Sequence, residues 1–399
     1  MRLLFVTSEF PPGPGGIGTH AYQVSRNLAR LGWEVAVVAS QDYARADEIT
    51  SFNQSQPFPI ERLRPVSFAP LEAIYRWRVL SRWISEWHPD IVLASGARST
   101  WLVALAARIM NFPWVAIGHG SEFKLPTAWE QRLVRWSFQR ARAVVCVSQY
   151  TWRRMLEAKI KPRAGTVIPN GADGEQFRVL PLPESADCAS PEPLPGRRLL
   201  ITVGSVTERK GQDVVIRALP HVLKQVANAH YVIAGMPEKE AELSRLADEL
   251  GIAEHVHFLG RVQPEELVRL LNRAEVFLMT SKHTPDGDFE GYGIAVIEAA
   301  LCGKPAIVSN NSGLTEAIVE GETGFGVPEN DEHATAEAIL ALLEDDGLRR
   351  RLGEAAQKRA LAEGTWEHRA KEFDTLLRNL IRTPAVTRAR DFSEATRNV

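Results

Sequence analysis

Cysteine is scarce. The 399 residues hold three (Cys146, Cys188, Cys302), far apart and without paired spacing. That excludes a disulfide framework, and with Cys146 inside the apolar "AVVCV" we expect buried thiols in a reducing compartment. The histidines fall at no metal-ligand interval. Long hydrophobic runs are also missing: the apolar core after Met1 is too short for a secretory signal, and "WLVALAARIM" is about half of a bilayer span. The expectation is a cytoplasmic protein, soluble or peripheral on the inner face of the membrane. Nucleic-acid binding has no support beyond scattered basic residues.

Net charge is low, −2, but unevenly spread. Residues 1–190 carry 22 Lys+Arg against 16 Asp+Glu, and residues 191–399 carry 25 against 33. Nine of the ten tryptophans lie in the first 152 residues. The two halves differ in composition yet share a pattern. "LLFVTS", "EVAVVAS", "DIVLAS", "WVAIG", "AVVCVS" and "TVIPN", then "LLITVGS", "HYVIAG", "HVHFLG", "EVFLMTS" and "KPAIVS", are strand-length runs apolar on both faces, spaced by helical segments. Such runs read as parallel strands buried between helix layers. We therefore expect an α/β chain of two doubly wound domains facing across a cleft, residues 1–178 and 198–380. A linker at 179–197 contains Pro181, Pro183, Pro191, Pro193 and Pro195. Helical spacing resumes from Thr365 to about Leu380, and residues 381–399 form a polar tail that could pack back on the first domain.

"FPPGPGGIGTH" contains Gly13-x-Gly15-x-x-Gly18, the spacing of a dinucleotide fingerprint. That fingerprint needs its first glycine at the end of the strand, and here Glu9-Phe10-Pro11-Pro12 intervene. Two prolines enforce an extended, projecting chain. The preferred reading is a glycine loop whose bare backbone approaches an anion or a sugar; a purely structural turn is the bland alternative. Thr19 is the expected N-cap of the following helix, with Val24, Leu28 and Leu31 spaced for burial and Gly32 as its stop.

"DFEGYGIAVIEAALCGKP" is the most informative run. It opens a helix at Gly291-Tyr292-Gly293-Ile294 and closes it at Gly303. Glycines expose the first-turn N–H groups, and the helix dipole adds roughly half a positive charge there, which suits a phosphate. Glu290 precedes the helix and Glu298 lies about one turn inside it. One carboxylate can then bind ribose hydroxyls and the other the hydroxyls of a second sugar.

This run resembles the Glu-x7-Glu motif of retaining GT-B glycosyltransferases of family 4, whose domains are Rossmann-like. The resemblance covers nearly the whole chain, with "EFPPGPGGIGTHAYQVSRNLARLGWEV", "GHGSEF", "VSQYT", "VIPNGAD", "VGSVTERKGQDVVIRAL" and "FLGRV" in the family's order. It implies an acceptor-side first domain and a second domain that binds a nucleotide sugar. Glu298 would bind the ribose and Glu290 the transferred sugar. Amides around Gly291, Tyr292, Gly293 and Ile294, with Gly15 and Gly16, would meet the diphosphate. Arg209 and Lys210 would neutralise the leaving diphosphate. The family often has an arginine where this chain has Ser205, so Arg209 takes that load. His119 would lie beside the donor sugar, and the base would pack near Arg261 and Val262.

The implied reaction is retaining transfer of a hexosyl unit from a UDP- or GDP-linked donor to a hydroxyl of a lipid-linked or saccharide acceptor. No cofactor or divalent metal is expected. Asp286-Gly287-Asp288 has the Asp-x-Asp pattern of a metal-holding fold, and we read it as a solvated loop. In "YRWRVLSRWISEW", Trp77, Leu80, Ile84 and Trp87 share a helical face that either touches anionic membrane or packs in the core. The rival functions are a glycoside phosphorylase on the same scaffold and a nucleotide-sugar-binding protein without transfer activity.

Overall fold

The computed structural model describes residues 1–13, 15–40, 44–123, 127–181 and 196–383. Most of the proline-rich segment, Cys188 and the tail beyond Thr383 lie outside the described residues. The chain forms two compact units, one of residues 1–147, 151–168 and the described chain from Ala370 on, the other of 148–150 and 169–369.

The first unit is a parallel sheet of seven strands: β1 (Arg2–Thr7), β2 (Glu34–Ser40), β3 (Ile60–Leu63), β4 (Ile91–Ser95), β5 (Trp114–Gly118), β6 (Ala143–Cys146) and β7 (Gly165–Val167), in the order β3-β2-β1-β4-β5-β6-β7. Leu4 faces Ala36 on one neighbour and Val92 on the other. Leu4, Val38, Val92 and Val144 pack with Val103, Phe138 and Met155 from the covering helices. Burying each such large side chain contributes about 1.5–3 kcal/mol.

The second unit has six parallel strands: β8 (Arg198–Val203), β9 (Ala229–Ala234), β10 (Val256–Gly260), β11 (Val276–Met279), β12 (Ala306–Ser309) and β13 (Gly324–Val327), in the order β10-β9-β8-β11-β12-β13. In both sheets the order reverses beside the first strand, between β1 and β4 and between β8 and β11. Chains leave such a switch point to opposite sides, which opens a crevice beyond the carboxyl ends of the strands.

Three local expectations need correction. The first long helix is Gly16–Arg30, with Gly15 rather than Thr19 at its N-cap; the Thr19 hydroxyl instead donates to the Gly15 carbonyl at 3.0 Å. Leu31 is 37% exposed, because the chain already turns at Gly32 (φ +87°), while Val24 and Leu28 are buried. Finally, the helix Trp366–Arg382 does not stay with the second unit to residue 380. From Ala370 it belongs to the first, where Phe373 packs against His20 and Asp374 accepts from the Trp33 indole at 2.6 Å.

The tryptophan face resolves to the core. In the helix Ala69–Trp87, Leu80 and Ile84 are buried, and Trp77 and Trp87 pack against the same cluster. Arg76 and Arg82 pair with Glu72 and Glu61. Cys146 and Cys302 are buried free thiols.

Candidate active site

In the second unit, the turn after β8 is built by glycines that bring backbones together. Gly211 has φ +64°, and a Cβ there would stand 1.9 Å from the Thr280 carbonyl oxygen. This close approach lays the turn Glu208–Lys210 beside the segment leaving β11, where the Lys282 amide donates to the Arg209 carbonyl at 2.8 Å. The result is one ionic cluster at the switch point. Lys210 Nζ donates to Glu290 Oε2 at 2.6 Å, Arg209 donates to the same oxygen, and Arg209 Nε pairs with Asp288 at 3.0 Å. Burial alone would raise the Glu290 carboxyl, but Lys210 and Arg209 outweigh it and hold the pKa at about 2. Glu290 in turn raises the Arg209 guanidinium. Burial lowers the Lys210 ammonium, with Glu290 opposing. Gly204 lies close against Lys210: a Cβ there would stand 3.3 Å from Lys210 Cε. Ser205 contributes its carbonyl, which accepts from Gln212.

The run that follows is pinned by its main chain. The Glu290 carbonyl accepts from Gly313 N at 3.0 Å, and a Cβ on Gly313 would come within 1.9 Å of the Gly291 oxygen. Gly293 (φ +87°) caps the helix Ile294–Leu301, which has no side-chain N-cap; the Val296 amide donates to the Gly293 carbonyl at 3.1 Å. The Tyr292 ring is turned inward, 3% exposed, beside Val296 and Arg369. What Tyr292 offers at the helix entrance is its main chain.

Glu298 stands apart from the ionic cluster. Burial, and then the nearby Asp173 carboxylate, push its carboxyl up to about 7. Asp173 is itself fixed by accepting from the amides of Glu175 and Gln176. Arg261 and Val262 follow β10 at the same carboxyl edge of the sheet.

The first unit assembles a different chemistry at its own carboxyl edge. His119 follows β5, and its Nε2 lies 2.8 Å from the hydroxyl of Ser95, the last residue of β4. Burial lowers the His119 imidazole to about 3, so it is neutral at ordinary pH. His20 sits edge-on at 4.9 Å between ring centroids, also lowered by burial and then by His119. Glu122 is 2% exposed; its Oε2 accepts from the amides of His119 and Gly120 at 3.1 and 2.9 Å, shaping the loop. Gly15 and Gly16 are exposed at the start of their helix, whereas a Cβ on Gly18 would lie 3.1 Å from the Phe10 amide nitrogen.

The sequence pattern alone does not single out Asp173, Glu122, His20 or the Ser95 hydroxyl. "VIPNGAD" and "GHGSEF" contained two of them, but nothing in the local pattern tied Asp173 to Glu298 or Glu122 to the loop amides.

Comparison with known proteins covers both halves of the chain. Residues 14–176 match the model of Glycosyltransferase Family 4, and residues 189–359 that of Glycosyl transferases group 1. A GDP-mannose-dependent alpha-(1-6)-phosphatidylinositol monomannoside mannosyltransferase of Mycolicibacterium smegmatis is 31% identical over 381 residues, covering 94% of this chain and 98% of the relative. A glycogen synthase of Mycobacterium tuberculosis is 26% identical, covering 92% of each. Among solved structures, Anabaena HepE in complex with UDP superposes with a TM-score of 0.78 at 20% identity, covering 95% of this chain and 100% of that one. Sucrose-phosphate synthase from Thermosynechococcus elongatus does so with a TM-score of 0.76 at 21% identity, covering 95% and 98%. Two family models that follow one another along the sequence, and a relative matched almost end to end, establish that this chain belongs to the family 4 type of GT-B glycosyltransferases and uses a nucleotide-sugar donor.

Proposed function

We propose that the protein moves a hexosyl unit, with retention of anomeric configuration and without a divalent metal, from a GDP-linked donor to a hydroxyl of a lipid-linked acceptor. The observation that carries this reading is the cluster Arg209–Lys210–Glu290 ahead of an uncapped helix that bears Glu298. Two cations and a row of amides suit a diphosphate, and two carboxylates separated along the run suit the hydroxyls on either side of it. Glu290, held near 2 by its cations, is a poor general base and is suited instead to accepting hydrogen bonds. His119, neutral and bonded to Ser95, suits a sugar hydroxyl better than a proton-transfer role. That favours same-face substitution through an oxocarbenium-like state, with the departing phosphate oxygen taking the acceptor proton and the protein stabilising charge. Arg209 already engages Asp288, which favours charge compensation by side chains over an Asp-x-Asp metal site.

The activity of the mannosyltransferase relative supports GDP over UDP and a lipid acceptor. Membrane contact is supported by Phe68, Leu71 and Ile74, which are 61%, 56% and 49% exposed at the start of the Ala69–Trp87 helix and flanked by the exposed Arg64 and Arg78. No helix among the described residues is long and apolar enough to cross a membrane.

Titration with GDP, UDP and ADP in EDTA tests the donor, and NMR of the product formed from GDP-mannose tests the stereochemistry. The expected results are selective stabilisation by GDP and an α-linked product formed equally well in EDTA. A β-linked product would overturn retention, and dependence on added Mn²⁺ would overturn the metal-free reading.

A further inference from the structure

A second chain of polar groups lies beside the ionic cluster, outside every motif to which a role has been given. His283, four residues past β11, places Nδ1 2.7 Å from Glu329 Oε1 and Nε2 2.7 Å from the Tyr150 hydroxyl. A carboxylate only accepts, so Nδ1 carries a proton toward Glu329, and Nε2 pairs with the Tyr150 hydroxyl. Tyr150 is held at its other end too: Glu316 accepts from the amides of Gln149 and Tyr150 at 2.8 and 2.7 Å. All of these residues belong to the second unit.

The ring that this chain grips is Phe289, the residue directly before Glu290. Phe289 is 4% exposed, edge-on to Tyr150 at 5.2 Å and stacked on His283 at 6.1 Å. The contacts close a circuit. Glu316 ends the short turn that begins at Gly313, whose amide holds the Glu290 carbonyl. Glu290 is therefore fixed from behind by Gly313, from the side by Phe289 and in front by Arg209 and Lys210.

We infer that Tyr150, His283 and Glu329 are positioning residues that set the Glu290 carboxylate for the transferred sugar. This rests on the sugar-binding reading of Glu290. The chain touches the loop that carries Glu290 and leaves the Glu298 side to other contacts, so its loss should slow transfer and spare nucleotide affinity.

The test compares Tyr150→Phe, which removes one hydroxyl and keeps the ring, with His283→Asn, which retains a donor for Glu329 and loses the reach to Tyr150. Each is expected to lower kcat about tenfold, in keeping with the cost of small misplacements of a reacting group. The Kd for GDP and the Tm should be unchanged, and the double variant should be no slower than either single one, because both remove the same hydrogen bond. His283→Gln, which extends an amide toward Tyr150, should recover part of the rate. Glu290→Gln is the control. If it abolishes transfer while Tyr150→Phe and His283→Asn turn over at the wild-type rate, the positioning role is overturned and the reading of Glu290 stands. A wild-type rate in Glu290→Gln would overturn both. A fall in Tm accompanied by equal losses in kcat and GDP affinity would reduce the chain to a stabilising contact.

Discussion

The two units use one topology and opposite electrostatics. At the carboxyl edge of the first, His119, Ser95 and His20 form a buried group, and Glu122, in the loop that follows His119, is turned onto backbone amides. At the carboxyl edge of the second, two cations and two carboxylates are held in direct contact. Burial acts on both. It lowers both His119 and His20, with the neighbouring His119 adding to the effect at His20, and it is overridden at Glu290 because two cations oppose it. A doubly wound sheet thus fixes where a site forms, while the side chains delivered there decide whether it is neutral or ionic.

Removing a cation should break this contrast most severely. Lys210→Ala is expected to lower kcat by about 10²–10³-fold, the usual cost of deleting one preorganised charge stabiliser. The KM for the donor should change far less. Steady-state kinetics with the nucleotide sugar measures both, and a normal rate would remove Lys210 from the leaving-group role.

Glu298 offers an intermediate effect and a pH signature. Glu298→Ala should weaken GDP binding by about 1–3 kcal/mol, seen calorimetrically, as a charged hydrogen bond is lost. The carboxyl is raised to about 7 from its ordinary 4.5, so its contribution to stability is fully present below about 4.5 and is lost as pH rises toward and through 7. Glu298→Gln should therefore gain in Tm relative to the wild type between pH 5 and pH 8. The corresponding free energy is at most about 3 kcal/mol. A Tm difference independent of pH would mean that Glu298 is not perturbed.

The smallest expected effect sharpens the neutral side. Since His119 is lowered to about 3, it should contribute no inflection to kcat/KM between pH 5.5 and 8. His119→Gln should lower the rate by about tenfold or less, a few tenths to 1.4 kcal/mol of transition-state contact, with a profile parallel to the wild type. An inflection near 6 that disappears in the variant would show that His119 titrates in function.

Much of the fold is legible locally. The strands β1, β2, β4, β5, β6, β8, β11 and β12 coincide with mostly apolar runs, because strands covered on both faces leave few positions for polar residues, while β7, β9 and β10 sit in apolar runs that also carry Thr166, His230 and His257. β3 and β13 have no such run. Ile60–Leu63 carries Glu61 and Arg62 at a sheet edge, and Gly324–Val327 has two glycines that weaken its strand signal. In the site, Glu290, Glu298, Arg209 and Lys210 stand out because glycines and strand ends mark their positions. Tyr150, His283, Glu329, Asp173 and Glu122 do not, since each is defined by a partner and not by its neighbours in sequence.

What the sequence by itself determined is periodic or punctuated: parallel strands, the start of the Ile294 helix at its glycines, charged residues placed where strands end. Which charges meet was left to the tertiary structure. Arg209 and Glu290 are 81 residues apart, and Tyr150 and His283 are 133 apart. Pairing across such distances follows from strand order and from close backbone approaches such as that of Gly211 to Thr280. The same burial that creates those approaches sets the protonation of the groups, through desolvation and neighbouring charge that no local sequence pattern records.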